Sequence, residues 1–143
     1  MAPVAERVAE VRQRIASAGG DPDAVTLVAV TKGFERDAVD DGVAAGLRDF
    51  GENMVDELVA KRDDVNRWHF LGRIQRRDVR RAEGVTLWQS VDRAAAGEEI
   101  AKRWPGAAVL VQVNVSGEPG KLGCTFDEAP ALVRTLQRAG LDV

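Results

Sequence analysis

The chain has 143 residues, of which 45% are apolar and 30% charged, and a formal net charge of -3. That size and balance fit one compact domain and exclude a disordered chain or a strongly basic nucleic-acid binder. A single cysteine, Cys124, and a single histidine, His69, exclude an internal disulfide and a cysteine-rich or multi-histidine zinc site.

Val4, Val8, Val11 and Ile15 recur at helical spacing, and Gly19-Gly20-Asp21-Pro22 stops that first helix. Residues 25–30 form a continuous β-branched run, the pattern of a strand buried on both faces in a parallel sheet. Val39, Val43 and Leu47 then mark a second helix. Phe50 sits in a short apolar patch before Gly51-Glu52-Asn53, and Asn53 is read as the cap of a helix facing inward through Val55, Leu58 and Val59. Trp68, His69, Phe70 and Leu71 form the next strand, and an arginine-rich helix follows it. Residues 85–91 read as strand, with Asp92 capping a helix that runs to about Trp104. Residues 108–115 are the strongest strand candidate. After a loop to Cys124, Thr125 and Glu128 form a capping box for a helix whose apolar side is Phe126, Leu132, Val133 and Leu136. Leu141-Asp142-Val143 opens another strand.

The order is thus a helix, then five strand–helix units with strands beginning near residues 25, 49, 67, 85 and 107, then the start of a sixth strand. Such alternation implies βαβ units and a parallel sheet. An open doubly wound sheet and part of a (β/α)8 barrel both fit. The first strand ends in Thr31-Lys32-Gly33-Phe34, which is not the glycine-rich phosphate turn expected of the doubly wound class. Residues 107–115 are too short to span a bilayer, and the N-terminus is too charged for a signal peptide. A cytoplasmic setting with no membrane partner is expected.

Lys32 is the first residue to carry chemistry. It is one of four lysines. Lys61 and Lys102 fall on predicted helices, where a solvated surface is expected. Lys32 follows directly on a buried strand, at the end where parallel α/β folds carry their functional groups. A partly desolvated lysine there is placed to attack an aldehyde and form a Schiff base. A surface lysine in a loop is the alternative. Asn53 is on the same face, as a helix cap or as an amide donor to a ligand. His69 is a hydrogen-bonded lining residue or a ligand. Asn114, Ser116 and Lys121 end or follow the strongest strand. Arg73, Arg76, Arg77, Arg80 and Arg81 form a basic patch, read either as a solvated helix face or as a contact for nucleic acid or an acidic partner. Cys124 is expected to be buried and inert.

Five short motifs in series then resemble one family. They are Ala29-Val30-Thr31-Lys32, Phe50-Gly51-Glu52-Asn53, Trp68-His69-Phe70-Leu71-Gly72 with Ile74-Gln75, Ser90-Val91-Asp92, and Val111-Gln112-Val113-Asn114-Val115-Ser116 with Glu118, Lys121 and Gly123. Their order and spacing are similar to the pyridoxal phosphate homeostasis proteins, which resemble the N-terminal barrel domain of alanine racemase. The resemblance implies an α/β fold of the (β/α)8 TIM-barrel type. It implies pyridoxal 5'-phosphate held as a Schiff base on Lys32, with Asn53 and His69 beside the cofactor. It implies a carrier or regulator of the vitamin B6 pool without established turnover. Met54 stands where the family often has tyrosine, and Arg77-Asp78 where it usually has Asn-Lys.

The family continues through three more strand–helix units that carry its phosphate cup. The 143 residues are therefore expected to form a single, C-terminally incomplete barrel domain that retains the cofactor weakly and self-associates through open barrel edges. Two-base racemase chemistry in the related enzymes uses a tyrosine, and this chain has none. A binding module acting through the arginine patch is the other alternative.

Overall fold

The computed structural model describes residues 3–143. Helix α1 (Val4–Ser17) precedes β1 (Val28–Val30), α2 (Arg36–Ala44), β2 (Asp49–Glu52), α3 (Val55–Lys61), β3 (Arg67–Phe70), α4 (Arg76–Arg81), β4 (Val85–Val91), α5 (Ala94–Arg103), β5 (Val109–Val111) and α6 (Ala129–Arg138). The five strands pair in parallel in the order β1-β2-β3-β4-β5. This order decides between the two architectures. A doubly wound sheet reverses its strand order at a switch point, whereas this sheet winds one way throughout, as a barrel does. Asp142 bridges Ala108 in parallel, so a sixth strand begins on the outer edge of β5 as the sequence implied.

Side chains alternate across the strands. Phe50, Trp68, Phe70, Trp88 and Val109 are buried against Val39, Leu58, Val79, Ile100 and Leu136 of the helices. This layer is the hydrophobic core. The other sheet face is the barrel lumen, and it carries Val30, Gly51 and His69 at one level.

Several boundaries differ from the sequence reading. β1 starts at Val28, because Val25 is exposed and lies outside the ladder. β5 stops at Val111. Beyond it the chain exchanges hydrogen bonds with the returning loop: the Asn114 N–H donates to the Cys124 carbonyl, and the Cys124 N–H to the Gln112 carbonyl, both at 2.9 Å. Asn53 and Asp92 are not caps. Met54 and Arg93 occupy those positions in extended conformation, without side-chain capping bonds. The reciprocal Thr125–Glu128 box is present, with bonds of 2.9 and 3.3 Å. Phe126, however, is exposed rather than on the apolar side of α6.

Candidate functional site

The candidate residues meet at the C-terminal rim of the sheet. Val30 and Gly51 are paired in the ladder, so Lys32 and Asn53, two residues further along each strand, sit side by side beyond it. His69 is level with Val30 and Gly51, one layer deeper. Lys32 is exposed. The partial desolvation expected for it is absent because the lumen above the sheet is open: Val30 on the same face is itself 48% exposed.

What holds Lys32 is its backbone. Lys61, read from sequence as a solvated helix residue, is instead buried beneath the Lys32 turn. Its ammonium donates three hydrogen bonds: 2.8 Å to the Thr31 carbonyl, 2.9 Å to Glu52 Oε1 and 2.9 Å to Glu57 Oε2. All three donors of the ammonium are used. The Thr31 hydroxyl donates to the same Glu52 oxygen at 2.5 Å. On the far side of Lys32, the Gly33 N–H donates to Glu57 Oε2 at 2.7 Å. Gly33 adopts φ +75°, a conformation that L side chains rarely reach, so glycine is needed for the chain to turn there. Arg36 closes the cluster from α2 by donating to the Lys61 carbonyl at 2.5 Å.

The charges in this cluster reinforce one another. Burial pulls the Lys61 ammonium toward neutrality, but its hydrogen bonds to Glu52 and Glu57 outweigh it and leave its pKa above the ordinary lysine value. Glu57 is held below the ordinary carboxylate value, first by the Gly33 N–H and then by Lys61. The sequence signal for Lys61 was available. It follows Glu57 by four residues and Leu58 by three, so it shares the helix stripe that faces the core.

Asn53 is half-buried, and its buried Oδ1 has no hydrogen-bond partner in the protein. It borders a cavity of about 500 Å³ that Arg73, Arg77 and Arg81 also line. The backbone of Gly72 presses against Asn53: a Cβ on Gly72 would lie 1.9 Å from the Asn53 carbonyl oxygen. The Ser90 hydroxyl donates to the Gly72 carbonyl at 2.5 Å, so the ends of β2, β3 and β4 are locked together.

His69 is buried in the lumen with both ring nitrogens engaged. Nε2 lies 3.0 Å from Asp49 Oδ1, and Nδ1 lies 2.9 Å from Gln89 Nε2. Arg67 donates to Asp49 from the other side, at 2.8 Å through Nε, and holds that carboxylate below its usual range; the bond to His69 adds to the effect. Sequence inspection did not single out Asp49 or Gln89, because a lumen partner follows from strand register rather than from spacing along the chain.

The remaining candidates organise structure. Asn114 accepts from the Gly117 N–H at 3.1 Å and donates to the Glu118 carbonyl, which shapes the loop, and Lys121 pairs with Glu118 at 2.9 Å. Of the arginine patch, Arg76 donates to the buried Glu99, as does Arg103 of α5, and Arg80 lies 3.9 Å from it, while Arg81 pairs with Asp56. The patch is a solvated helix face, all five arginines being exposed, that ties α4 to α5 and α3 through some of its members. Burial pushes the Cys124 thiol above its ordinary pKa, which leaves it protonated and inert. Among the described residues no group of three metal-ligating side chains converges, and no helix is long and apolar enough to cross a membrane.

Comparison with known proteins matches residues 4–143 to the alanine racemase N-terminal domain. A pyridoxal phosphate homeostasis protein of Pseudomonas aeruginosa is 38% identical over 151 residues, covering 96% of this chain and 66% of that protein. One from Deinococcus radiodurans is 35% identical, covering 95% of this chain and 68% of the relative. The chain belongs to the pyridoxal phosphate homeostasis protein family. It spans about two thirds of the length of these relatives. The solved structure of PipY of Synechococcus elongatus without pyridoxal phosphate superposes with a TM-score of 0.84 at 29% identity, over 98% of this chain and 67% of PipY. PipY with pyridoxal phosphate bound superposes at 0.74 and 28% identity, over 93% of this chain. Sheet order and family agree on a partial (β/α)8 barrel of the alanine racemase N-terminal type.

Proposed function

We propose that this chain binds pyridoxal 5'-phosphate in cytoplasmic vitamin B6 homeostasis, with Lys32 as the residue that takes the aldehyde as a Schiff base. The observation that carries the reading is an exposed lysine at the C-terminal end of β1 whose two neighbours are hydrogen-bonded to the buried Lys61 and its partner Glu57. A neutral amine there adds to the aldehyde carbon, water leaves, and a C=N bond replaces the C=O.

The rim suits such a group. The unpartnered Oδ1 of Asn53, on the neighbouring strand end, is an acceptor without a donor, and a bound ligand would supply one. His69, with both nitrogens committed to Asp49 and Gln89, would line the floor below the group rather than bond to it. A phosphate dianion is normally held by free backbone N–H groups. Those of Gly33 and Phe34 next to Lys32 are already committed, to Glu57 and to the Thr31 carbonyl. Retention by this chain is therefore expected to be weak.

A carrier or regulator fits better than a catalyst. The curated relatives are named for homeostasis, and none of the 143 residues is the tyrosine a two-base racemase would need. On mixing with pyridoxal 5'-phosphate, the wild type should develop the absorption band of an imine, and Lys32→Ala should not. An equal band in both, with both folded by circular dichroism, would reject Lys32.

A further inference from the structure

We infer that Glu57 and Lys61 are positioning residues that fix the Lys32 amine for aldehyde capture. The inference rests on the proposed role of Lys32 and adds the device that serves it. The side chain of Lys32 gains no fixed geometry from packing, because it is exposed. Its backbone is held from both sides. Before it, the Thr31 carbonyl accepts from Lys61 Nζ and the Thr31 hydroxyl is bound to Glu52. After it, the Gly33 N–H is bound to Glu57, the same carboxylate oxygen that accepts from Lys61. One buried ion cluster on β2 and α3 therefore holds the residue before Lys32 and the residue after it.

A plain surface turn needs none of this. Lys61 is 4% exposed and Glu52 is fully buried. Burying such charges is costly, and hydrophobic residues of similar size would often serve stability as well or better. A buried Lys61–Glu52 pair that bonds to Thr31 on one side of Lys32, linked through Lys61 to a partly exposed Glu57 that bonds to Gly33 on the other, points to placement of that lysine. A catalytic or binding group displaced by about 1 Å can lose up to about 10²-fold in effectiveness. The cluster thus tunes how readily Lys32 meets an aldehyde carbon held against the rim.

Glu57 offers the cleanest test, because its side chain is partly exposed and its loss leaves the core intact. In Glu57→Gln an uncharged acceptor remains for the Gly33 N–H; in Glu57→Ala it is gone. Affinity for pyridoxal 5'-phosphate, read from the imine band per folded molecule, should fall about tenfold or more in Glu57→Ala and less in Glu57→Gln. Hydrogen exchange at the Gly33 amide should speed up in the same order. Lys61→Met combined with Glu52→Gln removes both buried charges together, so that neither is left uncompensated, and should also weaken imine formation. A merely structural cluster would lower the melting temperature without changing the affinity of the molecules that remain folded. Unchanged affinity in Glu57→Ala and in the double variant, with a wild-type imine present at Lys32, would overturn the positioning role alone. Absence of the imine in the wild type would overturn the Lys32 reading itself.

Discussion

At the scale of single residues, the rim depends on groups that the strand ends bring together. Gly72 tolerates nothing larger: a Cβ there would collide with the Asn53 carbonyl, which is backbone and cannot swing aside. Gly72→Ala should lower stability by about 1–3 kcal/mol, the usual cost of overpacking, measured as a fall in the urea midpoint. The ion cluster makes a pH prediction. Glu57 and Asp49 sit below their ordinary values of 4.5 and 3.8 in the folded protein. The stability they contribute is complete above those values and drains away as pH falls through the lower folded ones. Lys61 sits above its ordinary 10.5, so its contribution is complete below that pH and is lost as pH rises through the higher folded value. The melting temperature should be level across neutrality, fall below about pH 4.5 and fall again above about pH 10.5. A fall centred near neutrality would contradict this assignment of charges. The place of Lys32 and Asn53 at the rim was legible in the sequence because each lies within two residues of a strand end. Lys61 is less legible: its place three residues after Leu58 marks the core-facing stripe, but its buried partner Glu52 lies on a neighbouring strand and follows only from the fold.

At the scale of elements, the five strand–helix units follow from hydrophobic period alone, and the structure holds each of them. Their boundaries were less legible. Residues 108–115 read as one long strand, yet β5 ends at Val111: the Gln112 N–H still donates to Val91 of β4, but the Gln112 carbonyl and the Asn114 N–H bond to Cys124 of the returning loop. No local propensity encodes such a pairing. The arginines of α4 lie on an exposed face, as their spacing implied; what spacing does not encode is their partner, the buried Glu99 of α5, which Arg76 reaches at 3.0 Å together with Arg103 at 3.3 Å. Glu99→Ala should loosen α4 against α5 and lower the denaturation midpoint. It should also leave the patch more basic, so any weak, salt-sensitive binding to nucleic acid should rise in the variant rather than be present in the wild type. Tight wild-type binding at moderate salt, abolished by Arg76→Ala with Arg80→Ala, would restore the patch as a functional surface.

At the scale of the whole molecule, the sheet pairs β1 on one side only, and its lumen face leaves Val30 and Leu110 each 48% exposed. A cavity of about 270 Å³ lined by Val4, Val8, Val11 and Leu27 separates α1 from the β1 edge. Val111 and Val113 are partly buried against the core, and Leu110 carries the exposure on β5. Unpaired edges and open apolar faces favour association. Sedimentation should show concentration-dependent self-association of the isolated chain, and a sharp monomer with a high, cooperative melt would contradict it. The identity of the aldehyde-binding residue is open to direct trapping. The chain is mixed with pyridoxal 5'-phosphate, reduced with borohydride and mapped by peptide mass. The reduced adduct is expected on Lys32, with Lys61 unmodified because all three of its donors are engaged within the cluster. Adduct spread evenly over Lys102, Lys121 and Lys32, or absent from Lys32, would contradict it.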